Sequence, residues 1–333
     1  DISFSGHAVE ARLYAEDPAR DFLPATGTLA AFEPAAEPPL RWDSGVGPGS
    51  VIGTDFDPML AKVIAHGPTR REAAGRLALA LERSHLAGLR TNRDFLVSTL
   101  RSAEFLEGDT TTDFIERVQP APTLMPGQSE VMYGARAVAL WLQDRSRRDA
   151  SVLAVAPSGW RNARLPDQRT VFAYNQEEIA VEYRRLRDGS FLFDGESKAR
   201  IHSCTPEKIE VQIDGRRSSL RVTQSGDSFF VHAGSGDLEF RLMPRFEIPG
   251  AEEVTGDLAA PMPGKVIDLR VKVGDRVGAG DTLLVLEAMK MEHPITAPED
   301  GTVIDLRVSE GEQVENGAPL LSLDSGGGEE ESP

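Results

Sequence analysis

Cysteine is nearly absent from this chain. Cys204 stands alone among 333 residues, so no internal disulfide can form and a reducing compartment suits the protein. Residues 201–204 read as strand, which makes that thiol a small buried hydrophobe. Long apolar runs are missing as well. None approaches the roughly 20 residues that cross a bilayer, and no signal peptide stands at the start. Nor is there a basic excess. The net charge is −17, and an acidic surface repels phosphate backbones and anionic lipid, which argues against nucleic acid and membranes as partners. What is present is ordinary for a soluble globular protein, with 40% hydrophobic and 27% charged residues.

The length suits two or three domains of roughly 100–150 residues each. Pro- and Gly-rich stretches at 120–133 and 248–257 divide the chain into parts at 1–119, 134–247 and 258–324, with a solvated, disordered tail at 325–333. The first part mixes strands and helices. Val9, Ala11 and Leu13 alternate with Ala8, Glu10 and Arg12, and Val63-Ile64 suggests a second strand. Thr69 and Glu72 form a capping box ahead of Ala73, Leu77, Ala80 and Leu81 at helical spacing. Further helices are expected over 94–100 and 112–118. The middle part opens with a helix over 135–142 that is apolar on most faces. Hairpin strands follow, with tight turns at Asp188-Gly189 and Asp214-Gly215. One buried helix with many hairpins predicts an antiparallel barrel closed around a helix.

The last part repeats itself. Val266-Ile-Asp-Leu-Arg-Val271 recurs unchanged as Val303-Ile-Asp-Leu-Arg-Val308, and Gly274, Val277, Gly280 and Leu283 recur as Gly311, Val314, Gly317 and Leu320. Two copies of short, glycine-punctuated strands predict one pseudo-twofold β-sandwich. The copies meet at Glu287-Ala-Met-Lys-Met-Glu-His293, which puts Lys290 at the tip of a hairpin between Met289 and Met291. Most surface lysines are simply solvated. Two methionines beside a turn lysine gain nothing by exposure, and they suit a soft recognition patch for a modifying or docking partner.

These residues resemble the biotinyl carrier domain of biotin-dependent carboxylases. The resemblance covers 258–323 and includes Ala260-Pro-Met-Pro-Gly264 and Glu287-Ala-Met-Lys-Met291. It implies biotin, joined as an amide to Lys290 by biotin protein ligase. Lipoyl domains share the fold, but their lysine usually follows Asp and precedes Ala. The first part resembles the C-terminal lobe of biotin carboxylase, through Gly6-His-Ala-Val-Glu-Ala-Arg-Leu-Tyr-Ala-Glu-Asp-Pro18, Phe22-Leu-Pro-Ala-Thr-Gly27, Phe56-Asp-Pro-Met-Leu-Ala-Lys62 and Gly88-Leu-Arg-Thr-Asn92. That likeness implies that Arg12 lies near bicarbonate and biotin and stabilises the biotin enolate, a role an always-charged guanidinium suits. The bland alternative is a strand arginine paired with Glu10 or Asp17. His7, Asp57 and Lys62 read as fold or subunit-contact residues. No glycine-rich nucleotide loop and no metal ligands accompany them, and the start at Asp1 reads as the truncation of a longer polypeptide.

The roughly 130 residues between lobe and carrier are too few for a carboxyltransferase barrel of about 250 residues. The order resembles the α subunit of acyl-CoA carboxylases of the methylcrotonyl-CoA and propionyl-CoA type, whose helix-centred barrel binds a separate carboxyltransferase β subunit in a hetero-oligomer. Ser158-Gly-Trp-Arg-Asn162 shares in that likeness. Thr91-Asn-Arg-Asp-Phe-Leu96 and Thr112-Asp-Phe-Ile115 lean toward the 3-methylcrotonyl-CoA branch. The resemblance implies a multi-domain α+β chain that is the biotin-carrying part of a ligase. The intact enzyme would use ATP, bicarbonate and Mg or Mn, while this stretch alone would be inactive. Competing readings are a propionyl-CoA or acetyl-CoA carboxylase subunit, and a non-enzymatic biotin or lipoyl carrier. Six lysines among 36 basic residues, with abundant alanine, point to a GC-rich bacterial source and the cytoplasm.

Overall fold

The computed structural model describes residues 3, 5–35, 40–54, 56–152, 166–175, 177–232, 236–245, 257–288 and 291–324. The stretch 158–162, nearly all of 248–257 and the tail 325–333 lie outside the described residues. Among those described, no helix is long and apolar enough to cross a membrane.

In the first lobe, strand Met59–Gly67 lies between His7–Tyr14 and Leu40–Ser44 in an antiparallel sheet. The alternation read in the sequence sorts its two faces. Val9, Ala11 and Leu13 stand opposite Ala65, Val63 and Ala61, and all six are buried. Helices Arg70–Arg83 and Arg93–Arg101 supply Ala73, Ala74, Leu77, Leu81, Val97 and Leu100 to the core on that side. The Thr69 hydroxyl accepts from the Glu72 N–H at 3.2 Å, as a capping residue should. The reciprocal half of the box differs: the Glu72 carboxylate accepts from the Thr69 hydroxyl at 3.5 Å. The helix expected over 112–118 is shorter, Phe114–Val118, since Thr111 and Asp113 bond to each other ahead of it.

The middle domain is a closed, eight-stranded antiparallel barrel running from Gln168–Tyr174 to Asp237–Leu242. Its axis is filled by one helix, Gln128–Arg148, which is far longer than 135–142 and takes in six residues expected to be linker. The first three, Gln128 to Glu130, are polar because they sit at the barrel mouth, where Glu130 accepts from Arg216 at 3.0 Å. Deeper in, small residues let helix and wall approach closely. A Cβ on Gly134 would lie 2.7 Å from Leu238 Cδ1 and 3.1 Å from Phe240. Tyr133 and Trp141 bury their rings and satisfy their polar ends on barrel-wall carbonyls, Tyr133 on Val211 and Arg216 at 3.2 Å and Trp141 on Thr205 at 2.9 Å. The Asp214-Gly215 turn has positive φ at both residues (48° and 85°), the two-residue hairpin geometry. At Asp188-Gly189 only the glycine adopts positive φ, because the loop is longer. Cys204 is half-buried rather than fully buried.

The third domain is two four-stranded sheets related by the sequence repeat. One joins Met291–Thr296, Thr282–Ala288, Gly264–Leu269 and Gln313–Val314. The other joins Asp257–Ala259, Pro319–Asp324, Gly301–Leu306 and Arg276–Val277. Each half therefore lends two strands to the other's sheet, among them the two-residue strands Arg276–Val277 and Gln313–Val314. The pseudo-twofold holds bond by bond. Gly274 N–H donates to Val303 at 2.8 Å and Gly311 N–H to Val266 at 2.7 Å, while Arg270 and Arg307 bind Asp268 and Asp305 at 2.7 and 2.9 Å. Val266, Leu283, Leu284 and Leu286 pack with Val303, Leu320, Leu321 and Leu323 in one shared core.

Candidate functional site

Strands Thr282–Ala288 and Met291–Thr296 pair antiparallel with Ala288 opposite Met291. Only two residues of sequence, Met289 and Lys290, separate those paired positions, and both lie outside the described residues; Met291 is described by its backbone pairing alone. Glu287 and Glu292, the next pair back, are both exposed, and Ala288 is buried. The described part of the hairpin thus closes on a buried alanine, with exposed carboxylates on both strands. His293 follows. It is half-buried, and its Nε2 has no hydrogen-bond partner among the described residues. Burial pushes its imidazole below the ordinary value, against the attraction of Asp21 in the first lobe.

Arg12 lies on the sheet face turned away from the helices, with 61% of its side chain exposed. Its Nε is 3.5 Å from Glu10 Oε1, while Asp17 pairs with Arg20 instead. Lys62 stands directly across from Arg12 and binds Asp43 at 3.2 Å, and Asp43 also accepts from Arg41 at 3.0 Å. The face is a row of alternating charges. Hydrogen bonds to Tyr14 and Glu10 hold the Arg12 guanidinium above its already high ordinary value. The backbone beneath is clamped by Asn92, which is buried. Its Oδ1 accepts from Tyr14 N–H at 2.9 Å and its amide donates to the Arg12 carbonyl at 3.3 Å. Asn92 is a positioning residue that the sequence reading passed over, although it closes one of the quoted motifs. The arrangement offers a permanent cation with free donor capacity, the chemistry that an oxyanion requires. His7, Asp57 and Lys62 make local contacts, His7 with Arg70 and Asp57 with the Met59 N–H.

Three family models tile the chain. Residues 10–117 match the biotin carboxylase C-terminal domain, 128–245 the methylcrotonyl-CoA carboxylase α-subunit BT domain, and 256–323 the biotin-requiring enzyme domain. The α subunit of mouse methylcrotonoyl-CoA carboxylase is 32% identical over 316 residues, covering 89% of this chain and 44% of its own length. The propionyl-CoA carboxylase α chain of Ruegeria pomeroyi is 30% identical over 333 residues, covering 88% of this chain and 48% of its own. The chain belongs to the α subunits of biotin-dependent acyl-CoA carboxylases. It spans less than half the length of the curated relatives it matches. A solved biotin carboxylase subunit of pyruvate carboxylase overlays 38% of the chain at 28% identity with a TM-score of 0.36.

In this α-subunit chain the carboxylase lobe and the BT barrel are joined by a buried polar cluster, of which only Arg93 and Asp94 fell within a quoted motif. Asp237 opens the last barrel strand. Its Oδ1 accepts from His85 Nδ1 at 2.7 Å and from His232 Nδ1 at 2.9 Å, and its Oδ2 accepts from Leu86 N–H at 3.2 Å and from Arg93. His85 Nε2 meets Thr223 at 2.8 Å, and Arg93 also donates to Asp94 at 3.0 Å. Burial alone would raise the Asp237 pKa. The Arg93 charge and the bonds from His232 and His85 outweigh it and hold the carboxyl well below the usual range. The ligand atoms of His85, His232 and Asp237 lie within 4.8 Å of one another, close enough to hold a metal ion. With Arg93 on the same carboxylate and both ring nitrogens at hydrogen-bond distance, proton sharing already satisfies the set.

Proposed function

We propose that the chain carries biotin on Lys290 and is the carrier-bearing part of an acyl-CoA carboxylase α subunit, an enzyme subunit in the full assembly. The observation that carries this reading is the two-residue connection at Met289-Lys290 between paired strands of a pseudo-twofold domain matching the biotin-requiring enzyme model. A hairpin end with exposed flanks fits a group that biotin protein ligase must reach. When bound, biotin supplies a ureido nitrogen that takes up a carboxyl group at one site and gives it up at another. The chain's own contribution is the tether: joining the group to a mobile domain replaces bimolecular delivery by an intramolecular one, at effective concentrations of order mM.

Arg12 belongs, on this reading, to the carboxylation site. Its guanidinium holds negative charge near bicarbonate and the ureido oxygen, with Asn92 fixing the strand beneath it. ATP, bicarbonate and Mg or Mn are used by the intact subunit, together with the parts of the family that this chain does not span. The BT barrel docks a carboxyltransferase β subunit, which brings the acyl-CoA, and the assembly is a hetero-oligomer in the bacterial cytoplasm. The substrate favoured is 3-methylcrotonyl-CoA, since relatives from the methylcrotonoyl-CoA branch stand first among the similar proteins, with the propionyl-CoA branch as the alternative.

Avidin capture and intact mass spectrometry of the chain co-expressed with a biotin ligase test the core. Wild type gains one biotin mass, and Lys290→Ala gains none. A biotin mass on the variant overturns the site, and a lipoate mass on wild type overturns the cofactor. Reconstitution of the full subunit with its β partner, with 3-methylcrotonyl-CoA and propionyl-CoA in competition, decides the substrate.

A further inference from the structure

The pseudo-twofold makes each half of the carrier a control for the other. Ala260-Pro261-Met262-Pro263-Gly264 in the first copy corresponds to Ala297-Pro298-Glu299-Asp300-Gly301 in the second. The inner members match: Ala260 and Ala297 are each 2% exposed. The outer members do not. Glu299 is exposed, whereas Met262 is 1% exposed. Met262 is not part of the carrier's own apolar core. A methionine 1% exposed and outside its own domain's core needs cover from another surface.

The cover is the seam between the carboxylase lobe and the barrel. Met262 and Pro261 line a cleft of about 250 Å³ with Pro24, Leu89 and Arg90 of the lobe and Phe230 and Glu239 of the barrel. Arg90 and Glu239 reach across the seam to each other at 3.6 Å. A second point of approach is independent of Met262: the half-buried His293 lies within electrostatic range of Asp21 in the lobe. Both points adjoin the hairpin: His293 lies in its second strand, and Gly264, two residues after Met262, packs on the Glu287 carbonyl of its first, 2.9 Å from where its Cβ would be.

We infer that the lobe–barrel seam is a docking site for the carrier domain of the same chain, with Met262 as its anchor and His293 facing Asp21 of the lobe. The proposal goes beyond biotin carriage and does not require Lys290 to be modified. The dock is small, with Pro261, Met262 and Asn316 as the carrier residues lining the cleft, and among the described residues it leaves the His293 Nε2 without a hydrogen-bond partner. A contact of that kind holds reversibly, as a carrier between two deliveries requires.

The unmodified full chain tests it. In methyl relaxation measurements, the carrier methyls of wild type tumble with the whole chain. In Met262→Glu, which installs the residue that the other half tolerates at the equivalent position, they tumble severalfold faster, with carrier chemical-shift dispersion retained. Met262→Leu keeps the slow tumbling. Independent tumbling in wild type, or slow tumbling in Met262→Glu, overturns the proposal. A second measurement needs no variant. Under dilute peroxide, peptide mass spectrometry finds Met262 oxidised at least tenfold more slowly than Met125, which is 71% exposed. Equal rates overturn the proposal.

Discussion

Asp237→Asn removes one charge from the joint between lobe and barrel and keeps its shape. Wild-type Asp237 accepts four hydrogen bonds, two from imidazoles, one from a backbone amide and one from Arg93. An asparagine turns one of those two oxygens into a donor, so at least one donor among His85, His232, Leu86 and Arg93 faces another donor. Arg93 is only 8% exposed, and removing one partner of a buried ion pair costs about 3–5 kcal/mol. Arg93 retains Asp94 at 3.0 Å, which is 23% exposed, so the lower end of that range, about 3 kcal/mol, is expected. Urea unfolding at pH 7 followed by tryptophan fluorescence reads the effect, because Trp42 reports the lobe and Trp141 the barrel. Wild type loses both signals in one transition; the variant loses them earlier and separately.

The double variant Arg93→Met with Asp237→Asn leaves no uncompensated charge. It should be less destabilised than the two singles added together, by roughly 1–3 kcal/mol. The pH dependence has a definite sign. The folded carboxyl titrates below its unfolded value of about 3.9, so its stabilisation is fully present above that pH. It is lost as pH falls further, and the gap between wild type and Asp237→Asn should narrow below about pH 4. A single-variant cost under about 1 kcal/mol, or additivity within about 0.5 kcal/mol, would refute the reasoning.

Arg12→Ala should leave the melting temperature almost unchanged, since the side chain is mostly exposed and bonds only to its neighbours Glu10 and Tyr14, yet lower biotin carboxylation by the full subunit about 100-fold or more; Arg12→Lys should not rescue it, and full activity in either variant removes Arg12 from the site. Gly134→Ala should destabilise the barrel by about 1–3 kcal/mol in denaturant titration despite alanine's better helix propensity, because its methyl meets Leu238 and Phe240. Burial, followed by the Asp144 carboxylate, pushes the Cys204 thiol up to about 12. Iodoacetamide at pH 8 should therefore label the folded chain far more slowly than the urea-unfolded one, and equal rates would contradict that setting.

Much of this was legible because it depends on short-range pattern. The alternation through Val9, Ala11 and Leu13 sorts buried from exposed whatever strand lies alongside. Thr69 caps its helix through a residue three positions on. The helix filling the barrel announced itself by being apolar on most faces, although its polar first turn, Gln128 to Glu130, resembled a linker until Arg216 was seen opposite. The motif around Lys290 was plain for the same reason, as two copies of one pattern meeting at a point.

The sequence by itself determined the α+β lobe, the helix-centred barrel, the pseudo-twofold carrier and the residue types around Lys290 and Arg12. Each of these rests on periodicity or repetition within a few turns of chain. Only the tertiary structure decided the exchange of Arg276–Val277 and Gln313–Val314 between the two halves, since either pairing satisfies the same pattern. It alone brought His85 to Asp237 across 152 residues and placed Met262 under the lobe–barrel seam. Those contacts depend on which surfaces meet when separate cores pack, and no local spacing encodes that.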